Sequence, residues 1–288
     1  MKLLEFWDKR LEREEETSAW TTLKKLKSHR NKVFRFEGDT DISDVDLDWI
    51  ERFETFMHRS GNKQNTIAST MSSLKSTLQQ AVDRDVLLKN PFKKFKIRKT
   101  ATFERAIMIE DVKNIEEKAS RDVYIDAWLL SFYCAGIRIG DICRLYKENV
   151  SGSKIEYKMH KNSKRVSLPL GAKAAEIVKK YIEDGTDRAR LFPLIGDHLK
   201  RDEEGSQIKR ATSRGNARFK EVVEELELPH MSWHAARAAF ATYMVRKGTD
   251  IDTIRQLLKH SSIVTTQEYL ASRSDDQLGD IVSDAMDF

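Results

Sequence analysis

Apolar residues in this chain recur every three or four positions almost from end to end, and in one stretch, residues 154–168, the period falls to two. There Ile155, Tyr157 and Met159 alternate with polar neighbours, Asn162-Ser163 can turn the chain, and Val166 and Leu168 alternate again, which predicts a β-hairpin. The rest predicts helices: Phe6–Arg13, Ala19–Phe34, Asp46–Met57 and Thr66–Val82, then Tyr124–Cys134, a break at Gly136, and a resumption through Ile139, Ile142 and Leu145. Further helices are expected over Ala172–Glu183, Arg214–Leu226, Trp233–Lys247, Ile251–Lys259 and Ser262–Tyr269. The polar, aperiodic run between Gly196 and Thr212 predicts an exposed loop. The pattern is that of a mainly α (α+β) protein with one small sheet.

At 288 residues the chain exceeds a typical domain of about 100–200 residues, so two domains are expected. Its net charge of +5 is unevenly spread. Residues 1–100 carry 21 Lys and Arg against 16 Asp and Glu, while the remainder carries 30 of each. No apolar run approaches the ~18 residues of a membrane span, and the start, MKLLEFWDKRLEREEE, lacks the layout of a signal peptide; a cytoplasmic protein with no membrane partner is expected. Cys134 and Cys143 lack metal-ligand spacing and read as buried free thiols. Neither a metal nor a cofactor is expected.

In the helix beginning at Thr66, Ile67, Met71, Leu74, Leu78 and Val82 form one face, and Asn65-Thr66 supplies a capping oxygen. Thr66, Ser69, Thr70, Ser73 and Lys75 occupy the remainder with Thr77, and such small donors with a lysine suit a phosphate backbone; a merely solvated face is the alternative. The basic run Lys89–Lys99, including Lys93, Lys94 and Lys96, contains Pro91, which discourages helix continuation, and reads as a linker that can close on a duplex.

Breaking a phosphodiester without a metal needs a nucleophile, cations for the non-bridging oxygens and an acid for the leaving oxygen. His234 and Arg237 stand three apart on one predicted helix and share a face. Arg138 follows Gly136 at the break between apolar helices, where burying a guanidinium makes sense mainly if it meets an anion. Nine residues separate His260 from Tyr269.

The chain resembles the tyrosine recombinase (phage integrase) family. The family's motifs occur in order as Gly136-Ile-Arg138-Ile-Gly-Asp141, Lys161 in His-Lys-Asn-Ser-Lys-Arg-Val, Trp233-His234-Ala-Ala-Arg237, and His260 followed by Tyr269. Asn65-Thr66-Ile67 and Asn90-Pro91-Phe92 resemble, more faintly, its helical core-binding domain. The resemblance implies that Arg138 and Arg237 hold the scissile phosphate, Asp141 braces that region, Lys161 protonates the departing 5′ oxygen, and His234 and His260 orient the phosphate and assist proton transfer. Tyr269 would attack, leaving a 3′ phosphotyrosine. Among Lys158, Lys161 and Lys164 near the hairpin, Lys161 is favoured because it falls just before the turn.

The expected organisation is a helical SAM-like, DNA-clamping domain over 1–97, a linker over 98–102, and a mixed α/β catalytic domain over 103–288 with a tail, 274–288. Together the domains would form a C around duplex DNA. The tail opens on Ser274-x-x-Gln, a capping box, and carries Leu278, Ile281, Val282, Ala285 and Met286 on one stripe. Four protomers, docking through that tail, would exchange strands through a Holliday junction, with accessory DNA-bending proteins as further partners. The implied role is that of an integrase of a bacterial mobile element. The chain leaves no room for an arm-binding domain before residue 1, implying a simpler recombinase or a trimmed chain. A type IB-like topoisomerase and a non-catalytic DNA-binding protein on the same fold are the alternatives.

Overall fold

In the computed structural model, which describes residues 1–100, 107–119, 122–228 and 231–259, the chain divides into two compact units, Met1–Ala101 and Thr102–Phe288. The first is built from α1 (Leu3–Glu14), α2 (Trp20–Glu37), α3 (Leu47–Arg59) and α4 (Gln64–Val82), with 3-10 turns at Ile42–Asp44 and Pro91–Lys94. Asp46 starts α3 by accepting the Trp49 amide at 2.8 Å, satisfying one of the donors a helix start leaves open. Trp7, Trp49, Ile50, Phe53, Leu74 and Leu78 make a continuous apolar core.

Helix α4 departs from its sequence reading on its polar side. Thr70 and Thr77 are wholly buried, so Thr70 cannot touch a DNA backbone. Its hydroxyl donates to the Thr66 carbonyl at 3.0 Å, and Thr77 donates to the Ser73 carbonyl at 2.9 Å while accepting from buried Arg10 at 2.7 Å. Ser73 is engaged by His29 Nδ1 at 2.7 Å. The physical reason is that α1, α2 and α3 all pack on α4, more than one apolar stripe can cover, and short hydroxyl side chains fill the extra contact by bonding back to their own helix. Thr66 and Ser69 stay partly exposed and Lys75 fully so.

Asn65 does not cap α4, whose N-cap is Lys63. Its amide brackets Thr100 instead, donating to the carbonyl at 2.9 Å and accepting the amide at 3.0 Å. Nor is 89–99 a free strap: Asn90 donates to the Lys75 carbonyl and to Gln79, both at 3.1 Å, and Phe92 is buried in the core of the first unit. Lys93, Lys94 and Lys96 remain exposed along this docked segment.

The second unit contains α5 (Ile109–Ala119), α6 (Val123–Tyr133), α7 (Ile139–Ile142), β1 (Val150–Ser151), β2 (Lys154–Lys158), β3 (Arg165–Pro169), α8 (Ala172–Ile182), α9 (Arg201–Glu225), α10 (Ala236–Arg246) and α11 (Ile251–Leu257). The expected hairpin is present, with Lys154 opposite Pro169 and Lys158 opposite Arg165, and β1 adds a third antiparallel strand. Helix α6 is apolar all round because it is central, packing against α5, α7, α8, α9 and α10. Cys134 and Cys143 are buried free thiols, their pKa values pushed up to about 12 by burial. Among the described residues no helix is long and apolar enough to cross a membrane.

The loop expected between Gly196 and Thr212 holds only to Lys200; from Arg201 the chain is the first half of α9. Most of its residues are helix formers, Gly205 excepted, and Asp202, Glu203 and Glu204 stand in the first turn, where acids suit the helix dipole. That half reads as aperiodic because it packs through charged side chains, whereas the half from Ala211 buries Gly215, Phe219, Val222 and Val223.

Buried His29 has a pKa lowered to about 4, first by burial and then by Lys32 and Lys25. A base whose folded pKa lies below its unfolded value binds fewer protons when folded, so stability falls as pH drops from about 6.5 towards 4. Between pH 7 and 5 this group alone should remove roughly 2 kcal/mol. Chemical denaturation at the two pH values should therefore show a smaller pH-dependent loss in His29→Gln than in the wild type; equal losses would mean that His29 titrates normally.

Candidate active site

The approach to Arg138 is set by the end of α6. Ala135 and Gly136 lie one after the other in the left-handed region, at φ 54° and 68°, and the Gly136 amide donates to the Ser131 carbonyl at 2.8 Å. Ser131 Oγ donates to the Ile137 carbonyl at 2.5 Å. This reversal makes Arg138 the N-cap of the four-residue α7. Its Nη1 is buried and has no hydrogen-bond partner among the described residues. A charged donor in that condition costs several kcal/mol unless it is compensated, so the position is arranged for an anion.

Asp141 does not supply that anion. It is buried, its Oδ1 accepts the backbone amide of His160 at 3.0 Å, and its Oδ2 has no partner among the described residues. Asp141 thereby ties α7 to the β2–β3 turn one residue before Lys161, which is exposed at the tip. Lys161 lines the same cavity as Arg138, Lys158 lines an adjacent cavity of about 240 Å³, and Lys164 is exposed beside the turn.

His234 and Arg237 do not share one regular helix: Trp233–Ala235 is a 3-10 turn, and Arg237 sits in the first turn of α10. Trp233 anchors the turn. It is fully buried, its Nε1 donates to the Tyr124 carbonyl at 2.7 Å, its backbone amide donates to Asn216 at 2.8 Å, and a Cβ on Gly215 would come within 2.5 Å of its ring. Arg237 Nη1 donates to the Gly136 carbonyl at 2.7 Å, and Nη2 donates to that of Leu258. His234 is open to solvent on one side, while burial of the rest of the ring holds its pKa below the ordinary value. An imidazole there can accept or donate a proton.

Arg138, Asp141, Lys161, His234 and Arg237 thus line one cavity of about 310 Å³, joined by Arg144 and His160. Sequence reasoning missed those two, and with them Arg190 and Glu204, which lie behind the cavity. A signal existed for Arg190, an arginine directly followed by the apolar Leu191-Phe192. Glu204 had none, because it lay in the segment read as a loop. His260, Tyr269 and the 274–288 tail lie outside the described residues.

Sequence comparison assigns residues 105–275 to the phage integrase family and residues 2–97 to the phage integrase SAM-like domain. The chain is 25% identical over 258 residues to the tyrosine recombinase XerD of Vibrio vulnificus, covering 85% of this chain and 83% of that protein. It is 26% identical over 247 residues to the tyrosine recombinase XerC of Lacticaseibacillus casei, covering 81% and 80%. The Tn1549 transposon integrase in complex with a circular intermediate DNA superposes with a TM-score of 0.69 at 17% identity, over 93% of this chain and 95% of that one. A lambda integrase tetramer bound to a Holliday junction gives 0.65 at 16%, over 91% and 78%. At these identities the structural likeness establishes the fold.

Gly136 combines a positive φ with a close approach: a Cβ there would lie 2.9 Å from both Cα and Cγ of Arg237. Gly136→Ala should destabilise the fold by about 1–3 kcal/mol, read as a lowered denaturant midpoint. An unchanged midpoint would mean that this turn and Arg237 are not held as described.

Proposed function

The chain belongs to the phage integrase family, and we propose that, as a site-specific tyrosine recombinase, it cleaves and rejoins duplex DNA through a 3′-phosphotyrosyl intermediate. The observation that carries this reading is the buried Nη1 of Arg138, without a partner among the described residues, in a cavity that Arg237, Lys161 and His234 also line. The guanidinium of Arg138, with the charge of Arg237 beside it, stabilises the non-bridging oxygens of a phosphate as charge builds in the transition state.

Tyr269 Oη attacks the phosphorus, the bond to the 5′ oxygen breaks, and Lys161 gives that oxygen its proton. His234, with His260, orients the phosphate and assists the proton transfers, including removal of the phenolic proton that Tyr269 gives up as it attacks. Asp141 sets the Lys161 loop against α7 through the His160 amide. The phosphotyrosyl bond conserves the energy of the broken phosphodiester, so a 5′ hydroxyl from the partner strand can attack it without ATP, and arginine charge does the work a metal ion would do elsewhere. The lambda integrase tetramer bound to a Holliday junction supports exchange through such a junction here; the reaction takes place in the cytoplasm, on paired duplex sites.

On this reading the domains comprise a DNA-clamping portion over 1–97, a linker over 98–102 and a catalytic portion over 103–288. Thr66, Ser69, Lys75, Lys93, Lys94 and Lys96 contact the duplex backbone. The 274–288 tail docks on a neighbouring protomer, a head-to-tail exchange that closes into a ring when the rotation allows, and DNA-bending proteins assist the assembly.

Tyr269→Phe should keep duplex binding and abolish the covalent adduct, as judged by denaturing gel after incubation with a nicked duplex; an adduct at full yield would move the nucleophile elsewhere. Lys161→Ala should be slowed severely on normal DNA and largely rescued by a 5′-bridging phosphorothiolate, whose thiolate leaves without an acid. Rescue of Lys158→Ala or Lys164→Ala in its place would reassign the acid.

A further inference from the structure

The loop that carries Arg138 is not stiff by itself. Helix α7 has four residues, too few to hold its own shape. A closed ring of charged side chains holds it. Arg144 Nη1 donates to the Gly140 carbonyl at 2.8 Å, and Arg144 Nε pairs with Glu204 Oε2 at 2.8 Å. Arg190 Nη2 pairs with Glu204 Oε1 at 2.9 Å, and Arg190 Nη1 returns to the Arg144 carbonyl at 2.9 Å.

Each member is fixed in turn. Arg190 is 2% exposed, its guanidinium lies 4.3 Å from the Tyr146 ring centroid, and its backbone amide donates to Asp197 at 2.9 Å. Glu204 stands in the first turn of α9. Burial works against its ionisation, yet the two guanidiniums beside it hold its carboxyl below the ordinary range. One carboxylate between two arginines leaves a surplus positive charge, and Arg144 itself lines the cavity with Arg138 and Arg237. A brace made only for stability would do as well with apolar side chains of equal volume. Here the bonded groups are backbone carbonyls of the segment that follows Arg138.

We propose that Arg144, Glu204 and Arg190 are positioning residues for phosphate cleavage, fixing the loop of Arg138 so that its guanidinium meets the scissile phosphate in the reacting geometry. This rests on the recombinase reading above. The ring acts through Arg138, whose loop it holds. Its loss therefore lowers the rate of cleavage more than the affinity for DNA, which many other phosphate contacts supply.

The test is single-turnover cleavage of a nicked duplex by the full chain, with duplex affinity and thermal midpoint measured in parallel. Glu204→Gln should slow cleavage by about tenfold to a hundredfold, as misplacement of a reacting group does, with duplex affinity nearly unchanged. Arg144→Lys, which keeps a cation facing Glu204 but loses the fork that reaches Gly140, should give the same split if Glu204→Gln does not fold. Combined with Arg138→Lys, either change should add little further loss, because the group being positioned is already gone. Wild-type cleavage rates in folded variants, or losses that multiply with that of Arg138→Lys, would overturn the proposal. A wild-type protein that forms no adduct would overturn the recombinase reading, and this inference with it.

Discussion

One guanidinium nitrogen, Arg138 Nη1, is the constraint around which the site in the second unit is organised. It is buried and has no hydrogen-bond partner among the described residues, and it stands at the end of a reversal that Gly136 and Ala135 make with left-handed backbone. Everything near it either fixes the reversal or brings another donor to the same cavity. Arg237 bonds the Gly136 carbonyl, Asp141 draws in the hairpin turn that bears Lys161, and Trp233 locks the turn that bears His234. Such preorganisation is what electrostatic stabilisation of a phosphoryl transition state requires, since donors already in place need no reorganisation as charge develops.

The mainly helical architecture with one small sheet was legible because it depends on period alone. The hairpin at β2 and β3 and the apolar α6 declared themselves through spacing and composition. Short elements did not. β1 has two residues, below the length at which any period can be read, and the helix read through Ile139, Ile142 and Leu145 ends at Ile142 after four residues. The first half of α9 reads as a loop because it has a single apolar contact, Ile208, before Ala211 and otherwise meets the core through ions: Glu204 meets Arg144 and Arg190.

Residues on α4 show the converse limit. Thr70 and Thr77 look like surface in a sequence, and both are fully buried, because a threonine can satisfy its hydroxyl on its own helix and still serve as a small packing residue. Asn65 similarly looks like a cap and instead clasps Thr100. The cavity that joins Arg138, Lys161, His234 and Arg237 was legible as an ordered set of motifs, whereas the ring of Arg144, Glu204 and Arg190 behind it carries no motif and emerges only from three-dimensional contact.

The central claim is that Arg138 answers the negative charge of the scissile phosphate. Replacing that phosphate with a neutral methylphosphonate removes the charge and leaves the bonds to be broken in place. Comparison of cleavage by wild type and Arg138→Ala on the two substrates isolates the interaction. The account predicts that the defect of Arg138→Ala shrinks markedly on the methylphosphonate, because there is no longer a full charge to stabilise; an equal defect on both substrates would contradict it.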